Sequence, residues 1–67
     1  MDNHTLAEHY YKEYYSLGYS RISMVDLLYR GELRQPDGTK LPKWFDVQHL
    51  EPILDIMDSK LVSDSRQ

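Results

Sequence analysis

The chain has no cysteine, so neither a disulfide nor a thiolate zinc site holds it together. No apolar run approaches the about 20 residues that a membrane-spanning helix needs. The polar start Met1-Asp2-Asn3-His4 lacks the basic and apolar regions of a secretory signal. There is no repeat, no low-complexity segment, no phosphate-binding glycine loop and no nucleophile–base pair. These absences predict a soluble, cytoplasmic chain that is not an enzyme and takes no cofactor and no small-molecule substrate. Basic residues are also few: 8 against 11 acids, for a net charge of −3.

What is present makes one domain, over residues 1–67. A chain this short buries only about 60% of the surface it exposes when unfolded, so local structure and self-association become important. The charge is unevenly spread. Residues 1–20 hold Asp2, Glu8 and Glu13 against Lys12, for −2. Residues 21–43 hold Arg21, Arg30, Arg34, Lys40 and Lys43 against Asp26, Glu32 and Asp37, for +2. Residues 44–67 hold five acids against Lys60 and Arg66, for −3. A polyanion should therefore meet the middle third.

Thr5-Leu6-Ala7-Glu8 has the form of a capping box. Leu6, Tyr10, Tyr14 and Leu17 then recur at helical spacing before Gly18, which predicts a first helix over 6–17. Five tyrosines fall between Tyr10 and Tyr19 and suit core packing. Ser20 is placed to cap a second helix, with Met24, Leu27 and Leu28 inward and Gly31 at its close. Two helices joined through a glycine turn make a helix-turn-helix candidate. Pro36-Asp37-Gly38 suits a type I turn with a left-handed glycine, which predicts a short two-stranded hairpin across Glu32 to Phe45. Asp46 is placed to cap a third helix. Its stripe, Val47, Leu50, Leu54, Met57 and Leu61, lines one face, Ile53 and Ile56 lie beside it, and Pro52 predicts an irregular first turn or a bend.

The stretch from Leu17-Gly18-Tyr19-Ser20-Arg21 through Leu28-Tyr29-Arg30-Gly31-Glu32-Leu33 resembles the helix-turn-helix of the excisionase and MerR-like winged-helix families. Gly38 at the wing, Trp44-Phe45 in the following strand and Asp46 to Leu50 continue the likeness. The resemblance implies a mainly α fold with a small β hairpin, a winged helix-turn-helix. It implies binding to double-stranded DNA, as a recombination directionality factor or a transcriptional regulator of a phage or mobile element. It also implies a recombinase or a second copy of the chain as partner.

In that frame Ser20 and Arg21 stand at the start of the recognition helix, where amides and dipole favour a phosphate or a guanine edge. Ile22 and Val25 are placed for a thymine methyl, and Ser23, Asp26, Tyr29 and Arg30 complete the groove-facing set. Arg34, Lys40 and Lys43 lie on the wing, within reach of the backbone or the minor groove. Each has a plainer alternative: Ser20 merely caps, Arg21 and the lysines are solvated, and Ile22 and Val25 pack against protein. His4, His9 and His49 have no metal-ligand spacing, and Asp55 with Asp58 reads as solvated charge. An alternative function is an acidic protein-interaction module, such as a phage-encoded inhibitor of a host protein. The third helix, longer in its apolar stripe than one small core requires, also suggests self-association.

Overall fold

The computed structural model describes residues 2–65, with the backbone alone for 64 and 65. The first helix, α1, spans Asn3–Glu13. It starts ahead of the expected Thr5 cap because Asp2 takes that role. The Asp2 carboxylate accepts the Thr5 N–H at 2.7 Å, and Leu6 N–H reaches the Asp2 carbonyl at 3.2 Å. Aspartate caps at least as well as threonine, so the helix extends back to the earlier acceptor. The same bonds from Thr5 hold the Asp2 carboxyl below its ordinary range. Beyond Tyr14 the chain tightens into a 3-10 turn, Tyr15–Leu17, and closes at Gly18.

The second helix, α2, spans Arg21–Tyr29. Its end is a paired cap: Gly31 N–H donates to the Leu28 carbonyl and Glu32 N–H to the Leu27 carbonyl. Gly31 has a φ of 71°, the left-handed geometry that this closure requires.

The winged part of the expected fold is overturned. Among the described residues there is no strand; Arg34 and Lys40 meet as one isolated antiparallel bridge. The turn itself forms as its residues suggest. Gly38 has a φ of 90° and donates to the Gln35 carbonyl at 2.8 Å, and Gln35 N–H reaches Thr39 at 2.7 Å. Asp37 secures it by accepting from the Thr39 amide and hydroxyl at 3.0 and 2.6 Å. The ladder fails to propagate because both arms are already committed. On one side Glu32 N–H belongs to the cap of α2, and Leu33 is buried in the core. On the other, Pro42 has no N–H to give, and its carbonyl accepts Phe45 N–H in a further turn. Among the described residues the fold is therefore all-α: three α-helices and a folded connection from Gly31 to Asp46.

The third helix, α3, spans Val47–Ser65 and runs unbroken through Pro52. Asp46 opens it, with a carboxylate oxygen accepting Gln48 N–H at 3.2 Å and its carbonyl accepting from His49 and Leu50. The stripe on α3 turns inward: Leu50, Leu54 and Met57 are fully buried, and so is Ile53, while Leu61 is about half exposed. Leu6, Ala7 and Tyr10 of α1, Tyr15, Met24 of α2 and Leu33 complete the core. Most of the surface that suggested self-association is thus consumed within one chain.

Tyr10 is fully buried, and its phenol oxygen has no hydrogen-bond partner among the described residues. Burial, with Tyr14 adding to it, pushes the phenol up to about 12 from its ordinary 10.0. Between these values the unfolded chain has lost the proton and the folded one keeps it, so stability falls as pH rises from 10 towards 12. Replacing Tyr10→Phe removes an unsatisfied hydroxyl. At neutral pH it is expected to leave stability unchanged or raise it by about 1 kcal/mol, since no bond is lost. It should also lessen the alkaline loss. Urea unfolding at neutral and alkaline pH checks both, and a neutral-pH loss above about 1 kcal/mol would show that the hydroxyl has a partner.

Candidate nucleic-acid interface

Helical geometry divides α2 into two faces. Met24 is buried, and Val25, Leu27 and Leu28 pack half-buried against the core. The opposite face carries Ile22, 82% exposed, and Tyr29, 71% exposed, with Asp26 and Arg30 between and beside them. Ser23 lies half-buried at its edge. Of the groove-facing set read from the sequence, Ile22, Asp26, Tyr29 and Arg30 thus come together on one solvent face. Val25 belongs to the margin of the core. Ser20 stands at the N-cap position with extended backbone, but its hydroxyl meets that of Ser23 at 3.3 Å instead of capping an amide.

Arg21 is drawn away from that face. One guanidinium nitrogen donates to Asp55 and to Asp58 of α3, both at 2.9 Å. The second oxygen of Asp58 accepts the Tyr15 hydroxyl at 2.6 Å. Hydrogen bonding to Asp58, then to Asp55, raises the pKa of Arg21 above its ordinary value. Burial, and then the bond to Asp58, pushes the Tyr15 phenol up. The four side chains fasten the 3-10 turn and α2 to α3. Reading Asp55 and Asp58 as solvated charge missed this. The available signal was their spacing of three, which sets two carboxylates on one helical face.

The remaining cations of the middle third gather elsewhere. Arg30, Lys40 and Lys43 line one cavity of about 300 Å³, with Leu28, Leu33 and Phe45 among its apolar walls. Arg34 lies opposite Lys40 across the bridge. Arg30 has a counter-ion on its own helix, Asp26, at 3.0 Å. A second cavity, about 380 Å³, also borders Leu41, Pro42 and Phe45 and is lined by Trp44 and His49. Trp44 had been read only as a strand residue, and the structure leaves it 66% exposed.

Among the described residues no group of three metal-ligating side chains comes together, and no helix is long and apolar enough to cross a membrane. Comparison with protein-family models, curated proteins and solved structures found no match to any of them.

The Arg21 cluster yields a prediction about stability. Asp58→Ala leaves the buried Tyr15 hydroxyl without its acceptor, at an expected cost of about 1–3 kcal/mol. Arg21→Ala removes a largely solvated pair and is expected to cost under about 1 kcal/mol. Urea denaturation of the two variants checks the order. Equal losses would mean that the ion pair, and not the Tyr15 bond, carries the fastening.

Proposed function

We propose that this chain is a small, non-enzymatic DNA-binding protein that presents the outward face of α2 to the major groove. Arg30, Lys40 and Lys43 meet the phosphates. The observation that carries this reading is the gathering of those three cations around one cavity in a chain whose two ends are both acidic. Ile22 and Tyr29 then supply apolar contact to thymine methyls, and Ser20 and Ser23 supply hydroxyls beside them. Asp26 orients Arg30 across one turn of helix. With Arg21 engaged by α3, the phosphate contacts of this surface are few, and affinity should be modest and strongly dependent on salt. The fitting biological role, drawn from the resemblance in the helix-turn-helix stretch, is a cytoplasmic recombination directionality factor or transcriptional regulator of a phage or mobile element.

One observation favours a second reading. The capture of Arg21 and the bare Ile22 and Tyr29 suit an acidic module whose α2 face docks on a protein. A labelled duplex titrated at several salt concentrations separates the two. Replacing Lys40 and Lys43 by alanine together is expected to weaken binding to every sequence alike and to flatten the salt slope by about 2. No duplex binding at low salt, or an unchanged slope in the double variant, would leave the protein-docking reading in place.

A further inference from the structure

The two cavities share a wall. Leu41, Pro42 and Phe45 border both, so the cationic space and the aromatic space adjoin at that short segment. The aromatic side offers Trp44, whose ring stands edge-on to His49 at 5.2 Å and is otherwise mostly open to solvent. Carboxamides lie around it. The Gln35 amide nitrogen donates to the Lys40 carbonyl at 3.3 Å, and that of Gln48 approaches the Asp46 carboxylate at 3.5 Å. Gln35 and Gln48 both line the aromatic cavity. The charges have a direction: Asp46 repels an anion from the aromatic side, while Lys40 and Lys43 attract one to the other.

A flat aromatic surface, edges that both donate and accept, and cations across a narrow wall are the complement of one nucleotide. We infer that the two cavities together bind a nucleotide whose base is unpaired. The base covers Trp44, its edge faces Gln35 and Gln48, and its phosphate lies towards Lys40 and Lys43. The ligand is either a free mononucleotide or a single-stranded stretch of nucleic acid. The cationic half of the site rests on the nucleic-acid reading above; the aromatic half does not.

Trp44 is the only tryptophan, so its emission reports on this site alone. The full chain is titrated with thymidine 5′-monophosphate, with a short thymidylate strand, and with a blunt duplex. Quenching by the strand at far lower phosphate concentration than by the mononucleotide identifies single-stranded nucleic acid as the ligand. Equal quenching identifies the free nucleotide. In an anisotropy assay with labelled strand and labelled duplex, Trp44→Ala is expected to weaken the strand about tenfold and to leave the duplex unchanged. Circular dichroism checks that the variant keeps its fold. The inference is overturned if neither strand nor mononucleotide quenches Trp44 at millimolar concentration, or if Trp44→Ala weakens strand and duplex equally. Quenching by an acidic peptide but by no nucleotide also overturns it, in favour of a protein partner. Duplex binding without quenching would remove this inference and leave the proposed function standing; quenching without duplex binding would do the reverse.

Discussion

Everything in this molecule hangs on the contact between one face of α3 and one face of α1. Leu50, Ile53, Leu54 and Met57 meet Leu6, Ala7 and Tyr10, and no disulfide stands behind that contact. Such a small core tolerates little waste, which makes the unsatisfied Tyr10 hydroxyl notable: the ring fills volume that the chain needs, and the oxygen travels with it. The second helix is attached less completely. It contributes one fully buried residue, Met24, and is tied down at its start by the carboxylates that hold Arg21. Its outer face is left free of structural duties.

Charge follows the same division. The acids of α3 are partly occupied in fastening α2, and Asp26 in holding Arg30. A net charge of −3 therefore says little about the surface near residues 30–43, where the cations are concentrated. Local arrangement decides what such a surface attracts at contact distance, because charges more than about 10 Å away are largely screened at moderate salt.

The helices were legible in the sequence because apolar spacing and punctuating glycines are local signals. Met24 and the Leu50–Met57 face were placed inward correctly, and the expected Gly31 closes α2 just beyond its last turn. The start of α1 was misplaced because two acceptors compete three residues apart, and Asp2 comes first. The hairpin was misread for a different reason. Its turn residues are correct, and Gly38 has the anticipated backbone, but a turn does not make a ladder. Whether strands form depends on the neighbouring amides, and those of Glu32 and Phe45 are committed to a helix cap and a second turn. The fate of Arg21 was beyond local reading altogether. Its partners lie 34 and 37 residues away, and only the packing of α3 across α2 brings them together.

The length of α3 has a consequence of its own. The helix is 19 residues long, while the molecule measures 38 Å in one direction and little over 20 Å in the other two. Its buried residues end at Met57; Lys60 sits over the Tyr11 ring at 5.4 Å, and Leu61 and Val62 beyond it are exposed to about half of their surface. One continuous helix thus spans two regimes of stability. The turns around Leu50 to Met57 are backed by buried side chains, whereas those after Lys60 have no buried hydrophobic residue among the described side chains. The end of the helix is thus held by side contacts such as Lys60 on Tyr11, and not by the core that holds its middle.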